Sequence, residues 1–447
     1  MPTTNEPEFE PPERTAAPLQ SEVEHQLGED AECEDAEPVY SRYAVLKVPD
    51  FRRYLWGGAF AAAGSQMTNV AAGWELYSRT GAPFSLALLG LMSALPVIFL
   101  ALPAGTLADR RDRRRIALFA EMGAVVCLAL LALVSYLKLP LPFFYGLILL
   151  NGIFGAFMGP ALGALVTNVV PLRLIPEATK WSSIRGQLAS TIGPVAGGYL
   201  IHYFGRQAEI YAMDSLGRLI FCVFLAQMRP LQQTRSKEKL GWESVVAGWK
   251  FVRAQPLILS TITLDMVAVL FGGATALLPI YAKDILLVGA AGLGPLRAAP
   301  AVGAIVMALF LTIRPPMPRA GRALLWAVAA FGAATIVFGF SRNYLLSLSA
   351  LAILGAADNV SVVVRHTLVQ LLTPDEMRGR VNAVNSVFIG TSNEIGEVES
   401  GLAAQFLTPV IAVAGGGFIT VLIALAVGLA WPQVRRLGRL EDVKVAT

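Results

Sequence analysis

The chain has 447 residues, 55% hydrophobic and only 15% charged, with a net charge of +4. A soluble protein spends roughly 25% of its residues on charge to cover its surface, so this composition excludes a soluble multidomain enzyme and points to a membrane protein. The cysteines, Cys33, Cys127 and Cys222, and the histidines, His25, His202 and His366, are too scattered for a disulfide framework or a zinc motif, and no P-loop is present.

Residues 1–38 hold twelve Asp or Glu against one Arg, Arg14, with several prolines. Such a segment cannot bury enough apolar surface to offset its ordering entropy. A disordered acidic tail is therefore expected over 1–47. It lacks the basic start and apolar core of a signal peptide.

From Arg52 onward, apolar stretches of about 20 residues or more, long enough to cross a bilayer, alternate with short polar breaks. The predicted helices lie near 54–78, 85–107, 115–137, 142–168, 178–202 and 208–228, then 257–281, 293–313, 323–341, 344–369, 378–404 and 408–431. The expected class is all-α, with twelve transmembrane helices in two six-helix pseudo-symmetric halves, 48–228 and 257–432. Between them, 229–256 is a linker. Its Trp242, Val245, Val246, Trp249 and Val252 have helical spacing, which fits an amphipathic helix on the membrane surface or packed on the bundle. Residues 433–447 form a C-terminal tail.

Basic residues orient these spans. With the N-terminus inside, the inner segments hold 26 Lys or Arg and the outer loops 5. That asymmetry obeys the positive-inside rule and places both termini in the cytoplasm, in a multi-pass protein of the inner membrane. The positive charge thus signals orientation, with no nucleic-acid partner expected.

The halves echo one another. Pro171 precedes Gly193 by 22 residues, and Pro374 precedes Gly396 by 22, an offset of 203. Both prolines open the fifth helix of a half. Arg115-Ile116-Ala117-Leu118 and Arg322-Ala323-Leu324-Leu325 form a second echo. Two parallel six-helix repeats place a transport pathway at their interface.

The turn between the second and third spans reads Gly105-Thr106-Leu107-Ala108-Asp109-Arg110-Arg111-Asp112-Arg113-Arg114-Arg115. It resembles the signature loop of the major facilitator superfamily, with Asp112 in place of the usual glycine. The resemblance implies that Gly105 allows close helix approach, that Asp109 faces the N-terminus of the eleventh span, and that the arginines pair with Asp109 and with anionic head groups. Gly193-Pro194-Val195-Ala196-Gly197-Gly198 resembles the core of the antiporter motif of drug exporters, although the upstream glycines of that motif, Gly186 apart, are missing. Leu278–Ala282, Thr373–Ala383 and Gly390–Gly401 narrow the likeness to an exporter branch, the transmembrane secretion effectors, which includes siderophore and macrolide exporters. The likeness covers about 48–432.

Ionisable residues at membrane depth are costly and mark function or a partner. Asp214 and Arg218 are one turn apart and can form a static pair. Asp265 lies in span seven and Asp358 in span ten. Glu394 and Glu397 share a face of span eleven, while Glu399 points elsewhere. Glu75 is expected near the outer surface. A carboxylate that binds and releases a proton at each membrane face couples transport to the proton gradient. Asp265 and Glu397 are the leading candidates, followed by Asp214, Glu394 and Arg218, with Arg297 and Arg365 as partners. Trp74, Phe271 and Phe388 are candidate cavity aromatics.

The expected function is proton-coupled export of a small amphiphile (drug, macrolide-like compound or siderophore) by alternating access. The expected protein is a monomer in the lipid bilayer, with no cofactor, metal or enzymatic constellation. The alternatives are a receptor or scaffold on a transporter fold and a small-solute importer.

Overall fold

The computed structural model describes residues 43–229, 242–313 and 317–438. Residues 1–42 of the acidic tail, the first part of the linker and the chain end after 438 lie outside the described residues, as do the side chains of Asp109, Arg110, Trp242 and Val245, whereas Ala44–Lys47, expected in the tail, form a 3₁₀ turn with Val45 buried.

Twelve long helices succeed one another, with no strand among the described residues. The first half contains α1 (Pro49–Thr80), α2 (Phe84–Arg110), α3 (Arg113–Tyr136), α4 (Leu141–Val169), α5 (Ile175–Phe204) and α6 (Ala208–Gln227). The linker helix is α7 (Trp242–Ala254). The second half contains α8 (Pro256–Ile285), α9 (Gly289–Ile313), α10 (Ala320–Phe340), α11 (Tyr344–Leu372), α12 (Asp375–Phe406) and α13 (Pro409–Ala430). Seven of them, α3, α4, α8 to α11 and α13, are long and apolar enough to cross a membrane by composition alone. The helix ends fall within five residues of those the hydropathy pattern predicts.

Local chemistry sets the ends. Proline opens α1, α5, α8 and α13 within the first two positions, where its missing N–H costs nothing. Gly81 and Gly205 close α1 and α5 at φ of 64° and 66°, a left-handed conformation that suits glycine. Asp112, Asn343 and Thr408 cap α3, α11 and α13 through their side chains. Asp112 thus replaces the glycine of the signature loop with an N-cap: its Oδ1 accepts from the backbone N–H of Arg114 at 2.9 Å and of Arg115 at 3.2 Å.

The helices alternate in direction, so the α2–α3, α4–α5 and α9–α10 turns share one end of the bundle with the end of α13. This is the basic end. The other is the far end.

In the first half α1 packs on α5 and α6, α3 on α4 and α6, and α2 on α4. In the second half α8 packs on α12 and α13, α10 on α11 and α13, and α9 on α11. These five pairings correspond one to one under the repeat. The halves meet along two seams, α5 on α9 and α2 on α12, which are also equivalents.

Atomic detail follows the same offset. A Cβ on Gly198 would sit 2.6 Å from the carbonyl oxygen of Ala290, and a Cβ on Gly401 would sit 2.7 Å from the backbone nitrogen of Ala87. Gly198 and Gly401 are 203 residues apart, as are Ala87 and Ala290. Gly193 and Gly396, the pair read from the repeat, lie against α1 and α8 in the same way, at Ala63 and Leu270. Small residues let the backbones touch where lipid-exposed helices have no hydrophobic drive to associate.

Helix α8 is interrupted. Its first segment ends at Phe271, Gly272 and Gly273 break the ladder, and a 3₁₀ turn (Ala274–Leu277) leads through a short helical turn to a π-turn at Tyr281–Ile285. Ser400 and Gly396 of α12 lie against Gly273. Helix α7 packs on α12: Gly248 meets the Arg380 carbonyl, Trp249 stacks on Phe388 at 5.3 Å, and Val252 is buried.

Candidate functional site

Between the halves lies a cavity of about 280 Å³. Ser65, Thr68 and Asn69 of α1, Ser93 of α2 and Asn151 of α4 supply polar groups from the first half, with Arg218 of α6 behind them. Glu394 and Glu397 of α12 and Arg297 of α9 supply charges from the second half. Gly73, Leu86 and Pro279 bound it towards the far end. There the halves also join through Tyr77, whose hydroxyl donates to the Asp284 carboxylate, and through the Phe84 N–H, which donates to Gln405 at 3.2 Å.

The spacing of Glu394 and Glu397 puts both on one wall. Arg297 shares the cavity with them and, among the described residues, is in no ion pair. Glu399 lies off this wall and accepts a hydrogen bond from Ser400 at 3.3 Å.

Arg218 anchors a buried cluster at the edge of the cavity. Its Nε donates to Asp214 at 3.1 Å, its Nη1 to Glu121 at 3.1 Å, and Thr68 donates to the second Asp214 oxygen at 2.8 Å. Arg218, Asp214 and Glu121 are 5%, 1% and 1% exposed. Two carboxylates therefore share one guanidinium, and Oε1 of Glu121 has no partner. Sequence reasoning found Asp214 with Arg218 but missed Glu121. That residue sits two turns into α3, close enough to the arginine loop to pass for an interfacial acid.

Asp265 is elsewhere. It is ion-paired with Arg365 of α11, inside the second half, and both are buried. Asp358 lines no wall of the described cavity. Glu75, expected near the surface, is 3% exposed and fully partnered by Ser135 at 2.8 Å, Tyr211 at 2.9 Å and Arg79 at 3.2 Å. The candidate aromatics also stand away from the cavity. Trp74 packs on the hydrophobic core, Phe388 stacks on α7, and Phe271 ends the first segment of α8.

The signature loop braces the first half. Arg113 donates to the Ala164 carbonyl and to Asn168, both at 3.2 Å. Arg114 donates to Leu225 at 2.7 Å and to the Ala226 carbonyl. Guanidinium groups thus reach carbonyls in the closing turns of α4 and α6, where the negative end of each helix favours a cation. Arg115 pairs with Asp112 at 3.4 Å and is largely exposed. No described atom lies within 4 Å of where a Cβ on Gly105 would sit, so the helices do not close on that glycine here. In the antiporter-like stretch, Gly193 and Gly197 face Ala63 and Met67 of α1, whereas Pro194 and Gly198 face Gly294 of α9.

Two six-helix halves with a polar, charged cavity between them define a secondary transporter of the major facilitator fold. Residues 40–441 match the family model described as transmembrane secretion effector. The chain belongs to that family. It is 28% identical over 333 residues to the enterobactin exporter EntS of Escherichia coli O1:K1 / APEC, covering 74% of this chain and 80% of the relative. Solved structures share the fold. The nucleoside transporter NupG superposes with a TM-score of 0.66 at 11% identity, over 87% of this chain and 99% of that one. A bacterial homologue of the human lysosomal transporter Spinster, inward-facing and unoccupied, gives 0.65 at 14% identity, over 89% and 99%.

Proposed function

We propose that this transporter is a proton-coupled exporter of small amphiphilic molecules, working by alternating access. The carrying observation is the placement of Glu394 and Glu397 on one wall of a cavity bounded by both halves. A carboxylate pair reachable from the cavity can hold a proton when cargo is absent and yield it when cargo binds. Arg297 and the amide groups of Asn69 and Asn151 supply complementary contacts for a polar group on the cargo. The bordering apolar residues, such as Leu86 and Met158, suit its greasy part. The enterobactin exporter relative supports a siderophore-like cargo, and drug-like and macrolide-like compounds fit the same description.

The basic end is assigned to the cytoplasm of an inner-membrane protein, from the 26 to 5 distribution of basic residues. The far-end contacts then close the outer side, and the cavity serves the inner one. Asp265, held by Arg365, is assigned to fastening α8 to α11, and Glu394 with Glu397 to proton carriage. The protein is taken to act as a monomer. Accumulation of candidate compounds in an efflux-deficient host, with and without a proton uncoupler, tests this reading. Lower accumulation that the uncoupler abolishes supports it, whereas accumulation unaffected by expression overturns it.

A further inference from the structure

On the side of α1 and α5 away from the cavity, towards the basic end, the two helices bound a groove of about 380 Å³. Its walls are apolar along Ala59, Ala63, Leu188 and Ile192, and the last two are half exposed. Two tryptophans, Trp56 and Trp181, flank it. Among the described residues, Arg52 and Arg185 are the only charged ones that line it, and no described acid stands beside them there.

Among the described residues, neither guanidinium is satisfied. Arg52 is exposed and, among the described residues, in no side-chain hydrogen bond or ion pair. Arg185 lies 4.9 Å over the Tyr54 ring, has one long bond of 3.4 Å to the Tyr54 carbonyl, and keeps a buried Nε with no partner. Arg52 is at the first turn of α1 and Arg185 some turns deeper on α5, so the arginines frame the wide mouth of a slot that turns apolar beyond them. Tryptophan belongs at head-group depth, guanidinium pairs best with phosphate or carboxylate, and the slot suits an acyl chain. We propose that this groove is a specific binding site for one anionic phospholipid of the leaflet at the basic end, its phosphate held between Arg52 and Arg185 and one chain lying along Ala59, Ala63, Leu188 and Ile192. The site is independent of the transport cavity, and nothing in the proposed transport cycle requires it.

The full-length protein, purified in detergent and stripped of lipid, is offered equal amounts of phosphatidylglycerol and phosphatidylcholine with identical chains, and bound lipid is counted by native mass spectrometry. The expected result is one tightly retained phosphatidylglycerol, preferred about tenfold over phosphatidylcholine. R52Q, which breaks no side-chain bond among the described residues, should lower that preference, and R52Q/R185Q should remove it. A59W leaves both arginines in place but fills the slot, and should also lose the retained lipid. R111Q/R115Q, on the α2–α3 turn, should keep it. Equal retention of both lipids by the wild type, or an unchanged preference in R52Q/R185Q or A59W, overturns the proposal. So does displacement of the lipid by millimolar inorganic phosphate, which would make the groove a site for the free anion.

Discussion

Asp265 of α8 and Arg365 of α11 form an ion pair sealed inside the second half, with 5% and 3% of their surfaces exposed. Removing one partner of such a pair strands a buried charge, which costs about 3–5 kcal/mol, while replacing both by apolar residues of similar size is often neutral. D265N should therefore lower the thermal unfolding temperature in detergent sharply, and D265L/R365M should recover most of the loss. If D265N instead keeps its stability and loses only gradient-driven transport, Asp265 carries the proton and the fastening role is wrong.

Glu394 and Glu397 face the cavity and, among the described residues, are in no ion pair. E394Q and E397Q should fold as the wild type does. Each should weaken gradient-driven efflux and the double variant should abolish it, as read from uncoupler-sensitive accumulation. Intact efflux in E394Q/E397Q would move the proton to another group, with Glu121 and Asp214 beside Arg218 next in line.

The signature-loop arginines divide by what they touch. Arg114 closes two carbonyls at the end of α6, and a charged hydrogen bond contributes about 1.5–3 kcal/mol. R114Q should therefore destabilise the protein measurably. Arg115, whose side chain is 87% exposed, forms the kind of surface pair that contributes about 1 kcal/mol or less. R115Q should unfold within error of the wild type, and equal losses for the two variants would contradict the division.

At the α5–α9 seam there is no room for a side chain on Gly198. G198V should force the helices apart at the far end. A cysteine placed at Ala290, 6% exposed in the closed seam, reports this by maleimide labelling in membranes. Labelling should be slow in the parent and several-fold faster with G198V added. Equal rates would mean that the seam is already open in the membrane.

The span pattern and the two-half plan were legible because membrane helices advertise themselves by length, and their repeat survives at Pro171, Pro374, Gly193 and Gly396. Helices α6 and α12 were fainter, because Asp214, Arg218, Glu394 and Glu397 interrupt otherwise apolar stretches. Two features were harder. The break in α8 falls at Gly272–Gly273, a local breaker signal submerged in an apolar run, and its packing against Ser400, 127 residues away, is a contact that no local pattern encodes. Glu121 joins Arg218 across 97 residues, and nothing in its own segment distinguishes it from an acid at the head-group level. The Asp112 cap is different. An Asp just before a helix is a readable start signal, hidden here by its place in a motif that usually has glycine.

The equivalence of the two seams bears on how motion is steered. Gly198 against Ala290 and Gly401 against Ala87 are equivalent close contacts on either side of the pseudo-two-fold axis, and under the proposed alternating access they are the pair that must part together for the far end to open. The charged cavity groups do not share that symmetry: where α12 carries Glu394 and Glu397, the equivalent positions of α5 are Thr191 and Pro194. A two-sided closure thus guards a one-sided site. On the proposed cycle, widening one of the two contacts alone would shift the relative weights of the inward-open and outward-open states before it stopped transport.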